Sequence, residues 1–225
     1  MLWFALAHAS SGPLLAPAAP ESDGFITFSG AAQLTRQGET YRFASDLQRS
    51  FGRHVVGTHI AAMEQHERDV ETGVFSLAVH YGFRAVDHRR VVVMPFLNVG
   101  GFVQPGIAAR AHLPVGPARI GVDASVGYAW ELPVPRRVGV DVDDRLTTYG
   151  VKPEAGIWVD LGGPVCPTGR LGVIGTDLVA SAQIGQNLFA RAALVVDPLD
   201  PEPAAWVSVG LRMGARSEVH PGPWL

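Results

Sequence analysis

The chain has 225 residues, 18 basic and 21 acidic, giving a formal net charge of −3, with 26 glycines and one cysteine. That length suits a single domain, the charge balance gives no general drive toward nucleic acid, and a lone Cys166 excludes both an intramolecular disulfide and a cysteine-based zinc site. No run of about 18 apolar residues occurs, so a transmembrane helix is excluded, and a membrane protein of this composition has to be a closed β-barrel.

Residues 1–22 read as part of an export signal or as a flexible Ala/Pro-rich arm. Leu2-Trp3-Phe4-Ala5-Leu6-Ala7 is a short apolar stretch, and Ala7-His8-Ala9 and Ala16-Pro17-Ala18 have the small-x-small form of a signal-peptidase site, with no positive segment before them.

From residue 23 the pattern has period two. Phe25 to Thr35 sets Ile26, Phe28, Gly30, Ala32 and Leu34 against Thr27, Ser29, Ala31, Gln33 and Thr35, a first strand that turns at Gln37-Gly38-Glu39. Tyr41–Ser50 and Val55–Met63 are weaker strands, the second broken by His54 and His59. Gln65 to Glu71 reads as a charged loop. Phe75, Leu77, Val79, Tyr81 and Phe83 then alternate with Ser76, Ala78, His80, Gly82 and Arg84. After the connection Asp87–Arg90, Val91 to Val103 is nearly all apolar, Gln104-Pro105-Gly106 reads as a turn, and Ile107–Leu113 as a short strand bearing Arg110 and His112.

The clearest stretch is Arg119 to Glu131. Ile120, Val122, Ala124, Val126, Tyr128 and Trp130 alternate without a slip with Arg119, Gly121, Asp123, Ser125, Gly127, Ala129 and Glu131. Strands of soluble cores run about 5–6 residues, whereas a tilted strand crossing a bilayer needs roughly 9–11. One face is apolar and ends in aromatics; the other is small and charged, as the inner wall of a narrow transmembrane barrel requires.

Pro133 to Arg145, with Arg136, Arg137, Asp141, Asp143 and Asp144, reads as a long exposed loop. A strand resumes at Tyr149 with Val151, Ala155, Ile157, Val159 and Leu161 on one face; Pro153 lacks a ladder donor and Trp158 falls on the polar side. Gly162 through Gly169 reads as a second long loop. Leu178–Gly185, Leu188–Val196 and Val207–Gly214 complete the alternating segments, the first two joined at Gln186-Asn187 and the last two across Asp197–Pro203.

Ten or eleven segments joined by short connections predict an all-β, antiparallel up-and-down barrel. Ten strands are the central expectation, with eight and twelve as alternatives, because single-chain bacterial barrels use even numbers. The segments Phe75–Arg84, Arg119–Glu131 and Val207–Gly214 together make residues 25–216 similar to the small outer-membrane β-barrel proteins of Gram-negative bacteria, porin-like or OmpA-like. The resemblance is one of strand texture and names no substrate. It implies a barrel domain over residues 23–216, a bacterial outer-membrane location, lipid as the surrounding partner, and a monomer. That family commonly ends on an aromatic last strand, whereas here a tail, residues 217–225, follows.

The polar face supplies the candidate lumen residues Asp123, Glu131, Lys152, Glu154, Asp160, Arg191 and Arg212, charges of both signs that can pair across a narrow bore. Ser76 and His80 share a face, but no Gly-x-Ser-x-Gly elbow accompanies them, and no His-Glu-x-x-His or calcium-loop frame occurs. No catalytic residue, metal ligand or cofactor is therefore assigned. The expected role is structural, adhesive or that of a narrow channel, and the alternative is a secreted soluble barrel or sandwich binding an apolar ligand in its interior.

Overall fold

The computed structural model describes residues 24–34, 38–67, 70–100, 102–131, 150–163, 165–185, 187–198 and 200–214. The proposed N-terminal export segment, the loop Pro133–Arg145 and the C-terminal tail lie outside these residues.

The described chain is all antiparallel strand: β1 (Gly24–Leu34), β2 (Gly38–Phe51), β3 (His54–Glu67), β4 (Val70–Phe83), β5 (Val86–His88), β6 (Val91–Val99), β7 (Phe102–Val115), β8 (Ala118–Glu131), β9 (Gly150–Asp160), β10 (Thr168–Ile174), β11 (Asp177–Ile184), β12 (Leu188–Asp197) and β13 (Asp200–Gly214). Each strand pairs with its sequence neighbour, β1 pairs with β13 from Phe25↔Gly214 to Leu34↔Ala205, and β4 pairs with β6, so the sheet closes on itself. The short β5 continues β4 along the same partner: Val79–Gly82 of β4 and Val86–His88 of β5 both lie against β6, with one extra residue between them. That bulge stands opposite Pro95, which has no N–H to give to a ladder. The wall therefore has twelve positions. The central expectation of ten strands is corrected to the upper alternative.

The missing strand is β10, which occupies residues assigned in part to a loop ending at Gly169; that connection stops at Pro167. Two further expectations change. Gln104-Pro105-Gly106 is not a turn but the interior of β7, and the reversal falls between Val99 and Phe102. Gln65, His66, Glu67 and Glu71 belong to a hairpin whose pairing runs to Glu67↔Val70.

The two faces segregate as period-two alternation demands. Ile120, Val122, Val126 and Tyr128 of β8 are exposed on the outside, while Gly121, Ser125, Gly127 and Ala129 are buried inside. Phe43, Leu47, Ile60, Leu77, Leu97, Ile107, Ile157, Leu171, Leu178, Leu194 and Val209 carry the same apolar exterior around the wall. A continuous apolar belt of this size is unstable in water and matched to lipid. The interior instead holds Gln33, Arg42, Gln48, His59, Asn98, Gln104, Arg110, Arg170, Gln183 and Arg191, all buried. This arrangement is the reverse of a soluble barrel with an apolar ligand cavity. No helix among the described residues is long and apolar enough to cross a membrane.

The first residue of β1 and the last of β13 lie at one end, together with the turns at residues 52–53, 89–90 and 116–117. The β8–β9 connection, residues 132–149, leaves and rejoins the wall at the other end.

Candidate functional site: the lumen

Inside a barrel each inward side chain competes for a fixed cross-section, and here glycines on neighbouring strands relieve the crowding. Trp158 lies against its register partner Gly121, Phe96 against Gly106, Phe189 against Gly210 and His80 against Gly57. In each pair a β-carbon on the glycine would collide with the ring, so the ring can lie along the wall only because its partner has no side chain. This explains why Trp158 is tolerated on the polar face: it is 1% exposed, packed over Gly121 and 6.2 Å from the His112 ring.

One arc of the wall, β7 to β10, carries a four-membered charge cluster. Asp123 Oδ2 accepts hydrogen bonds from Arg110 Nη2 at 3.2 Å and from Arg170 Nη2 at 2.5 Å. Arg110 and Asp123 are register partners on β7 and β8. Arg170, the register partner of Trp158, stands two strands from Asp123, whose own partner on β9 is Gly156, itself paired with Gly172, so two glycines leave room on the wall beside the Arg170–Asp123 contact. Glu154 sits in the field of Arg170, Asp123 and Arg110.

On the arc β12–β13–β1–β2 the described charges are mostly arginines. Arg191 and Arg212 flank the Phe189 ring at 5.5 and 5.8 Å from its centroid, a cation–π arrangement that fixes both guanidinium groups. Arg191 also donates from Nε and Nη2 to Gln183 Oε1 at 3.1 and 2.5 Å, and Arg212 Nε donates to Thr27 Oγ1 at 3.4 Å. Arg42 of β2 and Arg170 add to the positive field around Arg191. Among the described side chains the inward carboxylate on this arc is Asp46, whose Oδ1 lies 2.6 Å from His59 Nδ1. Arg42, Asp46, Arg191, Phe189 and the hydroxyl groups of Thr27, Ser29 and Ser208 line a cavity of about 20 Å³, which is room for about one water.

Toward the end away from the termini the same arc becomes apolar. Ile174, Val179, Ala193, Val195, Ala204 and Trp206 form a buried cluster in contact with Ala31, which also lines the cavity. Across the bore, Asn98 Nδ2 donates to Gln104 Oε1 at 3.1 Å.

Of the sequence-predicted lumen residues, Asp123, Glu154, Asp160, Arg191 and Arg212 are inside. The side chains of Glu131 and Lys152 lie outside the described residues. Asp123 and Glu154 gather around Arg110 and Arg170, Asp160 accepts from the Gly162 N–H at 2.8 Å, and Arg191 and Arg212 stand further round the wall. A twelve-strand circumference separates what eight or ten strands would bring together. Arg42, Asp46, His59 and Arg170 were not among the candidates. The Ser76 side chain lies outside the described residues, while His80 neighbours Asp46 and His59.

No protein-family model matches the sequence, and no curated protein matches it. Solved structures match by shape. The KdgM porin aligns with a TM-score of 0.52 at 9% identity, over 84% of this chain and 99% of its own. The NanC porin gives 0.53 at 6%, over 84% and 100%, and the transport unit of the autotransporter AIDA-I from Escherichia coli gives 0.50 at 9%, over 93% and 98%. The fold is that of the small outer-membrane β-barrels, with porins among its representatives.

Proposed function

We propose that the protein is a monomeric small-bore channel of the bacterial outer membrane that prefers anions. The observation that carries this reading is the uneven charge of the described lumen side chains: Arg42, Arg191 and Arg212 lie on the β12–β13–β1–β2 arc with Asp46 as its described carboxylate, whereas Arg110 and Arg170 stand beside Asp123 and Glu154. Like charges held together in a low-dielectric bore repel, and a passing anion relieves that repulsion. The apolar belt supports a membrane location, and the wall's own closure supports a monomer, since β1 and β13 satisfy each other's edges.

The KdgM porin has been seen in complex with a disordered oligogalacturonate, an anionic sugar chain. For the present chain, the buried rings and the small cavity favour low conductance and compact solutes over polymers. Planar-bilayer recordings of purified protein across a KCl gradient test this: small unitary steps with a reversal potential of the anion-selective sign are expected, and Arg191→Gln should reduce that selectivity. Cation-selective steps would refute the anion reading, and a silent membrane at all voltages would leave the structural or adhesive role in its place.

A further inference from the structure

The outer face of the barrel also carries charge, on one arc only. Among the described residues Arg49 is the one arginine at an outward strand position, rising between the exposed Leu47 and Phe51 of β2. Its guanidinium lies 5.2 Å from the centroid of the Phe51 ring. The turns beside it add exposed Arg53, Arg89 and Arg90, at the end where β1 begins and β13 finishes. His54 starts the neighbouring strand with Nδ1 2.7 Å from Tyr81 Oη, its ring 5.3 Å from that of Phe83. The described residues of the other turns at this end, 116–117, 161–163, 165–167, 185 and 187, carry no charged side chain. The exposed basic groups of this end are therefore gathered over β2 to β6.

We propose that this arc is a binding site for the phosphate headgroup of an acidic phospholipid in the leaflet at the end that holds the chain termini. A soluble partner would meet the turn arginines but not Arg49, which leaves the wall within the apolar belt. An arginine in that position lays its methylenes on the apolar surface and carries its guanidinium out to the headgroups, where the planar fork matches two phosphate oxygens. Phe51 holds the guanidinium at aromatic-girdle depth. Arg53 and His54 supply further donors beside it. Asp87, the exposed carboxylate nearby, lies 4.0 Å from Arg84 and is thereby partly neutralised.

The test uses the purified full chain in detergent micelles doped with equal amounts of phosphatidylglycerol and phosphatidylcholine, with retained lipid counted by native mass spectrometry. Retention of phosphatidylglycerol over phosphatidylcholine is expected, falling roughly fivefold for each of Arg49→Gln and Arg53→Gln. Arg49→Lys should recover part of the loss, because it keeps the charge but not the fork. Heat-modifiable migration on gels confirms that each variant is folded, and Arg191→Gln, which alters lumen charge alone, should retain phosphatidylglycerol as the unmodified chain does. Equal retention of the two lipids, an unchanged preference in Arg49→Gln, or displacement of the lipid by millimolar inorganic phosphate would overturn the assignment.

Discussion

Trp158 and Gly121 face each other across the β8–β9 ladder, and the indole fills the volume that any side chain at position 121 would need. The pair behaves as one packing unit. Gly121→Ala should cost about 1–3 kcal/mol, the usual penalty of overpacking, and close to nothing in a Trp158→Ala background. Urea-dependent refolding of the two single variants and the double variant into lipid vesicles measures the coupling; strictly additive costs would show that the ring does not rest on the glycine. Trp158→Ala alone should cost about 3–5 kcal/mol and enlarge the unitary conductance.

Asp123 holds two guanidinium groups on one oxygen. Asp123→Asn leaves Arg110 and Arg170 without their shared counter-charge in a buried site, and about 3–5 kcal/mol of stability should be lost. Adding Arg110→Gln to Asp123→Asn should return part of it. The same refolding titration reports both.

Val126 is 42% exposed on the outer face of β8. Val126→Arg should destabilise the barrel in bilayers by about 2–4 kcal/mol, while Val126→Leu should change it by less than about 1.5 kcal/mol. Equal effects would mean that this face does not meet lipid.

The longest connection, residues 132–149, joins β8 to β9 at the end away from Gly24 and Gly214, and in bacterial barrels the longer loops lie on the extracellular side. An epitope inserted between residues 138 and 139 should be labelled on intact cells. The same epitope between Gly116 and Pro117 should be labelled only after the outer membrane is permeabilised.

What the sequence made legible was the alternation, and it failed where alternation has no physical cause. In β8 one face meets lipid and the other the lumen, so Ile120 to Tyr128 declare themselves. The tips of β3 and β4 carry Gln65, His66, Glu67 and Glu71 with no apolar alternation yet remain paired. In β10, Gly169 and Gly172 supply no face at all and Ile174 points inward, into the cluster around Trp206. Proline ordinarily breaks a ladder, so Gln104-Pro105-Gly106 reads as a turn, whereas the reversal falls between Val99, the end of β6, and Phe102, the start of β7. The charge cluster is half visible: Asp123 and Glu154 stand out on their strands, but the pairing of Asp123 with Arg110 and Arg170 depends on register between strands, which no single strand encodes.

The bulge opposite Pro95 leaves the wall stitched between β4–β5 and β6 only along Val79–Gly82 and Val86–His88, while β3 and β4 are joined without a break from His54↔Phe83 to Glu67↔Val70. The seam that closes the tube, β1 against β13, is by contrast paired without a break from Phe25↔Gly214 to Leu34↔Ala205. Thermal breathing therefore reaches the bulged seam before the closing one: the amides of residues 79–88 and 91–99 trade their protons for deuterium ahead of those in β1 and β13, and the cylinder opens in the middle of the chain before its first and last strands part.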